Sequence, residues 1–225
     1  MHPINPVTAA VQTKSFASLM RALPSKEQVR VSDWYERTGG PPMDNATPTQ
    51  IAWMQARHYP MPADIARAAS MSEAELKAAG TGNTTAQILY VARLLDEYSA
   101  YVSAGTPMTP ARYRDPNFIR LGDEISRMMR QILPSGSPYA GYLFAAKDRL
   151  MHPDIESNAA TQLAGLVWAS KFGDTRANRL LNTPTMQVVD AATAGSAIAL
   201  MLNEAIYANP TLFSAPVVPL PPSNQ

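Results

Sequence analysis

Apolar residues recur along this chain at intervals of three and four. Phe16, Leu19, Met20 and Leu23 share one helical side, as do Ile88, Val91, Leu95, Tyr98 and Val102, and again Ile125, Met128, Met129 and Ile132. A period of 3.6 residues gathers such positions into one stripe, whereas a half-buried strand would alternate them every second residue. Alternating, β-branched stretches are missing from the sequence, so the pattern predicts an all-α, multi-helix globular core.

Capping chemistry sets the expected boundaries. Thr47-Pro48, Asp115-Pro116, Ser137-Pro138 and Thr183-Pro184 each place a side-chain oxygen before a proline. That oxygen can accept from the free amides of a first turn, and proline loses nothing there because its missing N–H would have no partner. Ser25-x-x-Gln28, Thr47-x-x-Gln50, Ser72-x-x-Glu75 and Thr84-x-x-Gln87 have the form of reciprocal capping boxes. Gly39-Gly40, Gly80, Gly105, Pro134, Gly173 and Pro210 supply the stops. Together these signals predict helices over residues 13–23, 25–38, 48–58, 62–69, 73–79, 84–104, 116–133, 138–151, 154–172, 175–182 and 184–208.

The ends differ from the body. Residues 1–12 carry two prolines and little periodicity, as an extended N-terminal arm would. A single helical domain is expected over 13–209, followed by a Pro-rich C-terminal arm over 210–225. Between Pro210, Pro216, Pro219, Pro221 and Pro222 that arm holds Leu212, Phe213, Val217, Val218 and Leu220 and no charge. Prolines favour polyproline II, and an uncharged strap with five apolar side chains has something to cover. We expect it to clasp a neighbouring copy or another partner, and its removal to leave the helical core folded.

Composition sharpens this picture in one respect. The 225 residues are 46% hydrophobic, an ordinary value, but only 16% charged, against about 25% in typical domains. Either uncharged polar residues cover the surface or other protein does, since obligate interfaces are depleted in charge. The net charge of +1 argues against a strong field for polyanions. No Lys or Arg follows Arg179, and the only charges beyond it are Asp190 and Glu204. With no cysteine, disulfides and thiolate chemistry are excluded. Residues 1–12 lack the basic and apolar regions of a secretory signal, and the weakly polar stretch 188–206 is interrupted by Asp190, Asn203 and Glu204, so we expect no membrane span.

Candidate chemistry is sparse. His58 and His152 each end an expected helix, where the dipole favours a cation, and His2 lies in the arm. The functional alternative makes His152 a general base oriented by Asp154 or Glu156, or gives that role to His58. No nucleophile elbow or paired-histidine zinc motif accompanies them. Arg120–Glu124, Asp123–Arg127 and Asp96-Glu97 beside Arg93 have the spacing of surface ion pairs. The turns Gly39-Gly40-Pro41-Pro42 and Gly80-Thr81-Gly82-Asn83 follow no strand and match no phosphate loop. We therefore assign no catalytic residue, metal ligand or cofactor.

Two patterns concern binding. Arg112, Arg114 and Arg120 surround Tyr113 and Phe118, and Lys171, Arg176 and Arg179 lie close together, as in grooves that stack bases and neutralise phosphates. Ala191, Gly195 and Ala199 stand four apart on one helix face, where small residues admit another backbone. Twelve methionines fit adaptable packing.

These readings converge on a non-enzymatic structural subunit that self-associates through helical packing and terminal arms. Its expected interface is Ala191, Gly195, Ala199, Leu212, Phe213, Val217, Val218 and Leu220. Virus coats, phage structural proteins and secretion-apparatus components are natural settings, which places it in a virion or cytoplasmic assembly. A secreted bacterial effector or helical binding module is the first alternative, and an enzyme centred on His152 or His58 the second.

Overall fold

The computed structural model describes residues 15–40, 43–103, 109, 111–151, 157–187, 189, 191–214 and 216–222. Among the described residues the elements are α1 (Phe16–Arg21), α2 (Ser25–Thr38), α3 (Pro48–Gln55), α4 (Pro62–Ser70), α5 (Glu73–Ala79), α6 (Thr84–Ser103), α7 (Pro116–Ile132), α8 (Pro138–Met151), α9 (Ser157–Lys171), α10 (Arg176–Leu181), α11 (Pro184–Gln187) and α12 (Ala191–Ala208). Short 3-10 turns lie at Arg112–Arg114 and Leu133–Ser135. The fold is all-α. The single helix expected over 184–208 is two, α11 and α12. They part around Val189, a β-branched residue, which has little helix preference.

Capping explains most of the boundaries. Thr47 and Gln50 form the reciprocal box that opens α3, at 3.3 and 3.0 Å, and Ser72 and Glu75 do the same for α5. Asp115 accepts from the amides of Asn117 and Phe118 at the head of α7. Three expected caps act differently. Asn83, not Thr84, caps α6 by accepting from Ala86 N–H at 3.1 Å. Ser25 lies inside α2, which opens on Pro24, and Gln28 turns back to donate to the Leu23 carbonyl. Ser137 is not spent on its own helix, since its hydroxyl donates to the carbonyl of Arg57.

The core gathers around α6 and α8. From Ile88 to Leu95 nearly every side chain of α6 is buried, so this helix is apolar all round and central. Helix α8 packs on α9, α6, α7 and α2. It meets α9 in antiparallel fashion: Trp168 donates to the Ser137 carbonyl at 3.0 Å, and Gly141 faces Gly165 one turn on. A methyl group on Gly165 would overlap the carbonyl oxygen of Gly141, and the reverse holds equally. The two backbones touch because neither carries a side chain there.

Among the described residues, ion pairs join helices as often as they follow single ones. Arg120 approaches Glu73 at 3.7 Å rather than Glu124, and Glu124 pairs with Lys77 and Arg127 at 2.9 and 2.7 Å. Asp96 pairs with Arg37 of α2, while Arg93 donates to the carbonyls of Ala68 and Met71. The side chains at α6 and α7 that the spacing assigned to neighbouring turns of one helix thus tie α5 and α2 to them.

The C-terminal strap is extended and lies on its own chain. The carbonyl of Val218 accepts from Trp53 Nε1 at 2.9 Å and from the Arg57 guanidinium at 3.0 Å. Gln50 donates to the Pro221 carbonyl at 2.9 Å, and the Leu220 N–H donates to the Gly173 carbonyl at 2.7 Å. Leu220 is buried, whereas Val217 and Val218 face outward. Before the strap, Phe213 packs against Phe172 and Trp168, with Leu212 also on the core. Residues 212–214 and 216–222 thus lie on the body, which changes what truncation should do.

Candidate functional site

The most polar place in the interior is the junction between α9 and α10. Helix α9 ends in a left-handed turn at Gly173, with φ +97°. The Asp174 N–H returns to the Ala169 carbonyl and the Gly173 N–H to that of Ser170, which closes the last turn of the helix. Asp174 is left with no solvent exposure. Its Oδ1 accepts from the Arg176 amide at 3.1 Å and from Arg176 Nε at 2.9 Å. Its Oδ2 accepts from Tyr59 at 2.5 Å, from Tyr142 at 3.0 Å and from the second arm of Arg176 at 2.8 Å.

Electrostatics follow from this arrangement. Burial alone would push the Asp174 carboxyl up, but the hydrogen bonds and charge of Arg176, with Tyr59, outweigh it and hold the group below its ordinary value. Burial likewise works against the Arg176 cation, and Asp174 reverses that effect. Burial drives the hydroxyls of Tyr59 and Tyr142 well upward, with Asp174 adding to it, so both remain donors. A carboxylate offers about four lone-pair positions, and five donors converge here. No lone pair remains for a substrate proton, so the cluster pins α3, α8, α9 and α10 together rather than acting as a general base.

His58 has an equally local explanation. It sits at φ +62° directly after α3, the one non-glycine residue with positive φ among those described. The Tyr59 N–H returns to the Met54 carbonyl and the His58 N–H to that of Gln55, the same closing pattern that Gly173 gives α9. Burial lowers the pKa of its half-covered ring, so the side chain favours the neutral form. The expected stabilisation of a histidine cation by the helix dipole is therefore replaced by a left-handed helix end. His152, Asp154 and Glu156 lie outside the described residues. Among the described residues no three His, Cys, Asp or Glu side chains could jointly hold a metal.

The basic candidates fall in different surroundings. Arg114 is exposed beside Tyr113, whose ring meets Phe118 edge-on at 5.6 Å, and Arg120 is exposed but shared with Glu73. The side chain of Arg112 lies outside the described residues. Lys171 rests its ammonium 5.4 Å from the Phe213 ring, and Arg179 is exposed on α10. Arg176, grouped with them by sequence, is withdrawn into the Asp174 cluster with 11% of its side chain exposed. It is not available to a phosphate.

Helix α12 is apolar on two sides. Its inner side seats Met201 and Ala205, with Ile198 and Leu202, against the body. Its outer side presents Gly195, Ala199, Leu200, Ile206 and Tyr207 to solvent, with Leu200 at 57% and Tyr207 at 93% exposure. A Cβ added to Gly195 would meet no other described residue within 4 Å. The side chain of Ala191 lies outside the described residues, as does that of Glu204, the one charge in this helix. Of the expected interface residues, Gly195, Ala199, Val217 and Val218 face outward, Leu212 and Phe213 pack partly on the body, and Leu220 is buried in it.

Sequence reasoning missed the Asp174 cluster and the Gly141–Gly165 crossing. Both left a signal. Gly173-Asp174-Thr175 reads as a helix end followed by a turn-forming aspartate, and Gly141, Ala145, Thr161, Gly165 and Ala169 repeat small residues four apart. Among the described residues no helix is long and apolar enough to cross a membrane. Comparisons with known protein families, with characterised proteins and with solved structures find no match to this chain.

Proposed function

We propose that this protein is a non-enzymatic structural subunit that associates with copies of itself, in a virion coat, a phage structure or a secretion apparatus. The observation that carries the reading is the outer stripe of α12, where Leu200, Ile206 and Tyr207 stand exposed beside Gly195 and Ala199. Clustered exposed apolar groups of this kind mark association surfaces, and aromatic residues supply much of the energy there. The sparse charge of the last third of the chain supports the same reading, because a nearly uncharged face is covered by its own copy with few charges to bury.

The test is native mass by light scattering and electron microscopy, on the full chain and on a Leu200→Glu, Tyr207→Glu double variant. The wild type should form a particle larger than one chain, and the variant should dissociate with its thermal unfolding unchanged. A wild type that stays monomeric at high concentration overturns self-association and favours a binding module. An oligomer untouched by the double variant removes α12 from the interface.

A further inference from the structure

Beside the Gly141–Gly165 contact lies a cleft of about 320 Å³, lined by α8, α9, α10, α11 and Gly39 at the end of α2. We propose that this cleft binds a small, uncharged, largely apolar molecule that carries one amide or hydroxyl group. The site does not depend on the assembly role proposed above, nor on α12.

The geometry of the crossing creates the space. Two glycines bring the helix backbones together at one level, and one turn further along only Ala145 and Ala146 project from α8. Side chains that short leave room beside them, and Leu166, Leu180 and Met186 wall it. Tyr142 also lines the cleft, and its hydroxyl is already committed to Asp174 at 3.0 Å, a bond that fixes the ring there. A volume near 300 Å³ is at the lower end for ligand sites, which suits a single-ring molecule.

Two polar groups set the ligand's character. The Gln162 amide lines the cleft without a hydrogen-bond partner among the described residues, so both its donor and its acceptor are available. Thr183 donates its hydroxyl proton to the Leu180 carbonyl at 2.8 Å, which leaves the Thr183 oxygen as an acceptor. Among the described residues the lining holds no Asp, Glu, Lys, Arg or His. A charged ligand would lose its hydration there without a counter-charge, so the wall selects against it. An amide or hydroxyl on an aromatic ring matches Gln162 and Thr183 together and leaves the ring against Tyr142.

Benzamide, toluene and benzoate are the probes, each titrated at millimolar concentration into the full-length protein while thermal unfolding and amide NMR spectra are followed. Benzamide should raise the melting temperature and shift the side-chain amide resonances of Gln162, toluene should bind more weakly, and benzoate should not bind. Gln162→Leu should cost benzamide roughly tenfold in affinity while sparing toluene, the loss expected when one hydrogen bond to a ligand is removed. Ala146→Leu, which fills the cleft, should abolish binding of both. A wild type unmoved by every probe overturns the proposal, as does a folded Ala146→Leu protein that still binds. Should that variant not fold, benzamide binding that leaves the Gln162 resonances in place overturns the proposal equally well.

Discussion

Two pairings of small residues in this chain look alike in sequence and differ in the structure. Gly141 and Gly165 lie where α8 and α9 press backbone on backbone, whereas a methyl group on Gly195 of α12 would meet no other described residue. Spacing by four tells that a helix face can admit another backbone. It does not tell whether that backbone belongs to the same chain. The inner pair is explained by the fold itself. The outer stripe, with Leu200 and Tyr207 exposed around it, has no partner among the described residues.

The largest effect is expected at the inner pair. Gly165→Ala places a methyl group on the Gly141 carbonyl, and backbone cannot yield as a flexible side chain does. Helices α8 and α9 must move apart, which disturbs the Trp168–Ser137 hydrogen bond and the aromatic packing beyond it. Denaturant unfolding should show a loss of more than about 4 kcal/mol, or no folded protein. A variant of wild-type stability would show that the crossing is not as close as described.

Next comes Asp174, where the interior holds charge rather than small residues. Asp174→Asn leaves the Arg176 guanidinium buried without its counter-charge and should cost about 3 kcal/mol. The pH dependence has a definite sign. Because the folded carboxyl titrates below its ordinary value of 3.8, Asp174 contributes stability above that value, and the contribution is lost as pH falls through the lower folded value. The wild type should therefore weaken in acid more steeply than Asp174→Asn, as followed by thermal unfolding from neutral pH downward. Equal slopes for the two proteins would place the acid sensitivity elsewhere.

How much of this was legible in the sequence depends on the range of the interaction. The stripes of α1, α6 and α7 and the boxes at Thr47 and Ser72 were readable because each is fixed within one or two turns. Asn83 took the cap from Thr84 by a shift of one residue, which local preference cannot decide when both types cap well. The Asp174 cluster draws Tyr59 and Tyr142 from 115 and 32 residues away, and no local pattern announces that meeting. The same holds for the strap. Its apolar side chains suggested a clasp on a neighbour, whereas the fold buries Leu220 in its own body and meets the Val218 carbonyl with Trp53 and Arg57.

The strap gives a smaller effect that still separates inside from outside. Leu220→Ala removes a buried side chain and should lower stability by about 2 kcal/mol. Val218→Ser, two residues earlier and 57% exposed, should change stability by less than about 0.5 kcal/mol, since the fold uses only its carbonyl. Melting temperatures of the two variants make the comparison. If both are silent, the strap does not hold to the body in solution. A melting transition unchanged by truncation at residue 215 would show the same.

The smallest effect on folding is expected at Gly195, and it discriminates most. Glycine in a helix interior costs up to about 1 kcal/mol relative to alanine, through the backbone freedom it surrenders. A methyl group at Gly195 meets no other described residue within 4 Å. Gly195→Ala should therefore raise the stability of the isolated fold by about 0.5–1 kcal/mol. A glycine kept at such a position gains its use from what approaches it, and a second backbone over the outer stripe is the approach the spacing permits. In the assembled state the same methyl group would then separate two helices, so the particle should weaken although the subunit is firmer. Thermal unfolding of the monomer and the concentration dependence of native mass, measured on one variant, report the two effects separately. Opposite signs would identify the outer stripe as the counterpart of the Gly141–Gly165 crossing. A firmer subunit with unchanged assembly would show instead that α12 meets its neighbour elsewhere than at Gly195.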